Sequence, residues 1–420
     1  MARLPEGFDV LRTRDFRLLF GAQAVSVVGD RMAVVALAFA VLEIGGSTSD
    51  VGLVLAAAAF PLVATVLAGG VVADRASRRA VMVVADLVRV ASQGAMAALL
   101  IAGVAEVWML ALVAGVTGAA TGFFGPASTG LLPEVVLAEQ LQPANGLRTG
   151  AVSTGEILGP ALGGVLVAAA GAGWAIAADA GTFAASAACL AALRVPARAA
   201  AQPSSFVADL RQGWVAFRSR RWVWTFVGYF AVVNVLWGAW GVLGPVVAER
   251  DLGGAAAWGT ILAAVGVGAL AGSLLATRVR PRRPLLLAAF ADGLFALPLA
   301  FLAAADSVPL IACGAALSGA GMALAISLWE STLQRHIPDE SLSRVSSYDW
   351  FGSLAFYPLG LALWGPLAAL IGVGVSLWLA FGLATLLTLA LVSVPDIRRL
   401  PAAPAAAMAA VRPSGPARRE

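Results

Sequence analysis

Apolar residues run along this chain in stretches of twenty or more, and the polar positions gather between them. Runs bounded by Arg, Pro and Gly fall near 17–43, 51–73, 80–102, 107–130, 146–170 and 174–194. A second set falls near 222–247, 257–277, 284–305, 308–332, 345–369 and 371–394. Each is long enough to cross roughly 30 Å of hydrocarbon as a helix. A helix pairs its own backbone groups, so a bilayer admits it without water, and the pattern predicts an all-α membrane protein of twelve transmembrane helices. The longest break separates six runs from six. The expected organisation is a first six-helix half at 1–194, a cytoplasmic linker at 195–221, a second half at 222–396 and a disordered cytoplasmic tail at 397–420. Within the linker, 206–217 reads as a short amphipathic helix on the membrane surface.

Composition agrees: 60% of residues are hydrophobic and 12% charged, against roughly 25% charged in soluble domains. The net charge of +4 does not point to nucleic acid, because the basic residues lie in short clusters between apolar runs. All 28 of them are arginines, and 25 fall on one side of the membrane when the N-terminus is placed inside. That asymmetry predicts a multi-pass protein of the bacterial inner membrane with both termini cytoplasmic. The polar first sixteen residues make the opening run a retained helix and not a cleaved signal. Cys189 and Cys313 sit alone inside apolar runs and read as packing residues, so neither metal nor disulfide is expected. No phosphate-binding loop or nucleophile motif occurs, which argues against an enzyme, a cofactor or direct use of ATP.

Charges within the hydrocarbon are costly and therefore candidates for function. Asp30 and Arg31 lie near the middle of the first run, and Glu156 lies inside the fifth. Desolvation disfavours a charged carboxylate, so such groups suit a proton carrier. Asp30 is the first candidate for proton coupling and Glu156 the second, with Arg31 as a basic partner. Asp86 and Arg89 stand at i, i+3 on the third run and can pair. Asp179, Asp292, Glu330 and Asp349 fall nearer helix ends and read as interfacial or paired carboxylates. Asn234, Trp237 and Trp240 on the seventh run, with Trp350, Phe351, Phe356 and Tyr357 on the eleventh, suit an amphipathic organic ligand. The same aromatic residues also suit interfacial anchoring. His336 is expected to be solvated in the loop after the tenth run.

Two stretches carry a more specific signature. Residues 69–79 read GGVVADRASRR, which sets Gly70, Asp74, Arg75, Arg78 and Arg79 between the second and third runs. The fifth run carries Gly146, Gly155, Gly159, Pro160, Gly163 and Gly164. Glycine every fourth residue makes a flat stripe on which another helix can pack, and Pro160 adds a bend. These stretches resemble motif A and motif C of the major facilitator superfamily, and helix count and loop placement extend the resemblance over the whole chain. It implies two pseudo-symmetric six-helix halves. Motif A would act as a latch closing the cytoplasmic side, and motif C is associated with antiporter-type exporters. The fifth helix would face the eighth, where Gly268-x-x-x-Gly272 offers a partner stripe. Two departures stand out: Ser77 replaces a family glycine, and the fourth run lacks the arginine of motif B, for which Arg31 or Arg89 would have to substitute. RHIPDESLSRVSS at 335–347 and LLPEVVLAEQLQPANGL at 131–147 resemble loops of the bacterial drug and siderophore exporter branch. The function so implied is proton-coupled efflux of small amphipathic or drug-like molecules by a monomer, with protons, substrate and lipid as partners. An importer, uniporter or lipid translocator on the same fold, or a transport-inactive membrane receptor, remains the alternative.

Overall fold

The computed structural model describes residues 9–194, 214–215, 217–304, 307–338, 345, 348–349 and 351–402. Among these, twelve helices are long and apolar enough to cross a membrane. They are α1 (Arg14–Glu43), α2 (Thr48–Arg75), α3 (Arg78–Ile101), α4 (Val107–Val135), α5 (Leu141–Ala170) and α6 (Ala172–Ala191) in the first half. The second half holds α7 (Arg221–Val247), α8 (Ala255–Arg278), α9 (Pro284–Ala303), α10 (Val308–His336), α11 (Phe351–Ile371) and α12 (Val373–Ser393). The expected linker between 195 and 213 and the tail beyond 402 lie outside the described residues. Of the linker's predicted surface helix, Trp214 and Phe217 are seen packing on each other and on Tyr348.

Local chemistry sets the ends. Ser47 and Asp50 form a reciprocal capping box at the start of α2, at 2.8 and 3.3 Å, which satisfies two of its orphan donors. The two halves repeat one joint: α5 passes to α6 through Gly171 at φ +90°, and α11 passes to α12 through Gly372 at φ +89°. Only glycine adopts that conformation without strain, so the pseudo-symmetry is written in the backbone. α9 is interrupted by a tight turn at Gly293–Phe295, one residue after Asp292.

Several boundaries differ from the sequence reading. α5 begins at Leu141, five residues before the expected start at 146, which sets Arg148 about two turns inside the helix. There Arg148 donates to Gln23 of α1 at 2.7 Å and to Ser128 of α4 at 3.1 Å. α10 extends to His336, whose ring is half-buried against Trp222. Its Nδ1 lies 3.1 Å from the carbonyl of Thr332, so it is not the solvated loop residue expected.

The halves touch through small residues at one end of the bundle. On one flank α2 meets α11, with Gly52 against Leu361 and Gly365 against Thr48 and Ser49. On the other, α5 meets α8, with Gly164 against Gly259. Towards the opposite end, which carries the start of α1, Gly70 of α2 and Gly146 and Gly150 of α5 meet no neighbour within 4 Å. A central cavity of about 740 Å³ lies between the halves. The arginine asymmetry predicts that the diverging end is cytoplasmic, so the conformation is inward-open on that orientation. Reporter fusions after residue 205 and at the C-terminus should both score cytoplasmic. An external score at either site would reverse the direction of opening.

Candidate functional site

Charged side chains of the first half meet at the wall of the central cavity. α1 presents Asp30 and Arg31 on neighbouring faces, and the fold uses them separately. Arg31 pairs with Glu156 of α5 at 3.2 Å, both side chains partly exposed in the cavity. Asp30 turns the other way, with its Oδ2 3.8 Å from Nη1 of Arg89 on α3. Ser26, one turn earlier, lies close enough to act on the Asp30 carboxylate. Arg31 therefore pairs with Glu156 and acts on Asp30 only through space, and the ion-pair partner of Asp30 is Arg89.

Arg89 is 1% exposed and carries the heaviest load in this half. Its guanidinium lies between the rings of Phe124 on α4 and Phe183 on α6, 4.3 and 4.1 Å from their centroids. That planar stacking suits Arg and not Lys. It bonds Asp86 one turn back on its own helix, and Asp86 also accepts from Ser186 at 2.6 Å. Asp179 of α6, also 1% exposed, accepts from Gln93 at 2.8 Å. It faces Gly29, next to Asp30, and is close enough to interact with both Asp30 and Arg89. Three carboxylates thus converge on one cation. Of the three, Asp30 is the one whose side chain is substantially open to the cavity, at 39% exposure.

Sequence reasoning had placed Asp179 and Asp292 near helix ends. Both are instead buried well inside their spans, eight residues into α6 and nine into α9. Counting inward from both ends of each run would have flagged them. Asp292 belongs to a second cavity of about 480 Å³ within the second half, lined also by Asn234, Trp237, Phe295, Trp329, Glu330 and Asp349. Trp237 lines both cavities, while Trp240 and Tyr357 line the central one. Phe351 and Phe356 are exposed and line neither, and Trp350 lies outside the described residues.

The glycine stripe of α5 serves two partners. Side chains added at Gly155, Gly159 and Gly163 would collide with Val27, Arg31 and Met32 of α1, so this stripe seats α1. Gly164, one residue on, meets Ala255 and Gly259 of α8, and Gly266 of α8 meets the backbone of Glu156. The expected partner stripe is a correction: Gly268 and Gly272 face Ala316 and Ala320 of α10, inside their own half. Gly146 takes no part in packing here.

The 69–79 segment is placed at the open end. Arg78 donates to the Gly130 carbonyl and to Glu134 of α4 at 3.0 Å. Arg79 donates to the last carbonyls of α6, at Leu190 (3.0 Å) and Ala191. These contacts tie α3 to α4 and α6 inside the first half. Arg75 is exposed in the last turn of α2, and the side chain of Asp74 lies outside the described residues.

Comparison with known proteins agrees with this architecture. Residues 19–355 match the family model of the Major Facilitator Superfamily. The chain belongs to that superfamily. It is 29% identical over 405 residues to the multidrug efflux pump Tap of Mycolicibacterium fortuitum, covering 91% of this chain and 96% of that protein. It is likewise 29% identical over 401 residues to the enterobactin exporter EntS of Salmonella typhimurium, covering 91% and 93%. Among solved structures, the nucleoside transporter NupG superposes with a TM-score of 0.71 at 12% identity, over 92% of this chain and 99% of that one. A POT family transporter in complex with 5-aminolevulinic acid superposes at 0.70 and 12%, over 92% and 97%. At such identities these two share the fold alone. The protein is thus a multi-pass transporter of the facilitator type and not an enzyme. Its exporter relatives are bacterial, which places it in the bacterial inner membrane.

Proposed function

We propose that this transporter exports small amphipathic molecules in exchange for protons, by alternating access around the central cavity. The observation that carries the reading is the convergence of Asp30, Asp86 and Asp179 on the single cation Arg89. Uncompensated charge in a low-dielectric interior costs several kcal/mol per group. One arginine cannot balance three carboxylates there, so the cluster holds at least one proton in the conformation described. Asp30 is the carboxylate that can exchange it, because it borders the cavity while Asp86 and Asp179 are sealed. Glu156, paired with Arg31 on the same wall, is the second candidate carrier. The 69–79 segment, with Asp74, would latch the cytoplasmic end in the opposite conformation, when the stretch around Gly70 and Gly146 closes. Export as the direction is supported by the efflux pump and the siderophore exporter among the relatives.

The test uses a dye or antibiotic identified by screening an overexpressing strain. Wild-type protein in proteoliposomes should transport it under an imposed pH gradient, and purified protein should release protons on binding it. Asp30→Asn, which fixes the neutral form, should keep binding but lose pH-driven transport by about a hundredfold or more, the usual scale for removing a positioned proton-transfer group. If Asp30→Asn and Glu156→Gln both retain proton release and pH-driven transport, antiport gives way to facilitated diffusion.

A further inference from the structure

The second cavity, bounded by α7, α9 and α10 together with the segment leading into α11 and its first turn, has no part in the proposed proton coupling. Its walls combine two features. Phe230, Trp237, Phe295 and Trp329 supply aromatic faces, and Asp292, Glu330 and Asp349 supply three carboxylates. Among the described residues, no arginine or histidine lines it. Two of the carboxylates are largely shielded from water by the surrounding helices, Asp292 at 3% exposure and Asp349 at 8%.

Their hydrogen bonds leave a gap. Asp349 accepts from Nε1 of Trp329 at 2.9 Å. The hydroxyl of Tyr229, 3.4 Å from Oγ1 of Thr388, lies close enough to interact with Asp292. Oδ2 of Asp292 is buried and has no hydrogen-bond partner among the described residues. Buried polar atoms are almost always satisfied, so an orphaned carboxylate oxygen on a cavity wall marks the place of a missing partner. In the corresponding depth of the first half, Arg89 supplies a cation to buried carboxylates. Among the described residues, the second half places none in this cavity.

We propose that this cavity binds an organic cation, with its positive centre beside Asp292 and its apolar body against the aromatic walls. A guanidinium or ammonium is held by carboxylates and by ring faces together. The volume of about 480 Å³ falls within the range of pockets for drug-sized ligands. Trp237 and Met322, shared by the two cavities, place the pocket beside the central route, so a ligand can pass between them past two side chains. This assignment deepens the exporter reading and rests on it for the ligand's onward path, but binding itself requires no gradient and no transport.

The experiment is equilibrium binding to the full chain in detergent, with tetraphenylphosphonium as cation and tetraphenylborate as an anion of the same shape. Wild type should bind the phosphonium and bind the borate at least tenfold more weakly. Asp292→Asn should weaken phosphonium binding by about tenfold, an effect of roughly 1.4 kcal/mol. Glu330→Gln is the safer variant for folding, because Glu330 is exposed, and it should weaken binding by about threefold. Equal affinity for the two probes in wild type would overturn the proposal without reference to any variant. So would a loss of phosphonium binding in Asp30→Asn with none in Asp292→Asn, which would put the cation in the central cavity. Failure of either kind leaves proton-coupled export standing, since that reading is judged by proton release and pH-driven transport.

Discussion

Replacing Arg89 by methionine should produce a protein that inserts poorly or melts far below wild type. Arg89 is the cation of a cluster in which Asp86 is fully buried and Asp179 nearly so. Removing one partner of a buried ion pair leaves the other uncompensated, at about 3–5 kcal/mol. Native proteins have only about 5–15 kcal/mol of net stability, so this loss is a large part of the total. Lysine should rescue little. It keeps the charge but not the flat guanidinium that lies between Phe124 and Phe183.

A second variant separates charge balance from packing. In Arg89→Met with Asp86→Leu, both members of the buried pair become apolar at similar volume, an exchange that is often neutral or stabilising. Thermal melting followed by tryptophan fluorescence should show the double variant recovering most of the loss. Asp30 in that background keeps its access to the cavity but loses its cation, so pH-driven transport should stay abolished although the fold returns. An Arg89→Met protein as stable as wild type would mean that the three carboxylates do not depend on the arginine.

The membrane architecture was legible because the bilayer imposes it. Twelve apolar runs, a central break and one-sided arginines follow from backbone satisfaction and topology, and they do not depend on how helices rotate about their axes. What a helix turns towards its neighbours was harder to read. Gly155, Gly159 and Gly163 form the stripe visible in the sequence, yet they seat α1, and the contact with α8 falls to Gly164 one residue later. A shift of one residue rotates the face by about 100° at 3.6 residues per turn, and no local signal fixes that angle. For the same reason Gly268 and Gly272 looked like partners for α5 but pack on α10. The i, i+3 spacing of Asp86 and Arg89 was a local relation and could be read. That Asp30 and Asp179 share the same arginine depends on three helices meeting, which only the fold determines.

Gly164→Leu should shift the conformational balance towards opening at the end where α5 and α8 meet. A side chain at Gly164 runs into the carbonyl of Ala255 and comes within 3.0 Å of the Cα of Gly259, which is backbone and cannot rotate away. Overpacking of this kind costs typically 1–3 kcal/mol, and it is incurred only while that end is closed. Each 1.4 kcal/mol changes a two-state ratio about tenfold, so the ratio of closed-end to open-end forms should fall by about one to two orders of magnitude. The measurement places a reporter cysteine at Leu262, on the central cavity wall, in a background with Cys189 and Cys313 replaced by serine. A membrane-impermeant maleimide added outside intact cells should label it at least about ten times faster in Gly164→Leu than in the parent. Gly164→Ala should fall between the two, since one methyl intrudes less than a branched side chain. Gly146→Leu is the control: no neighbour lies within 4 Å of Gly146 in this conformation, so labelling from outside should not rise. Unchanged labelling in a well-folded Gly164→Leu protein would show that the α5–α8 contact does not hold that end shut, and closure would then rest on α2 and α11.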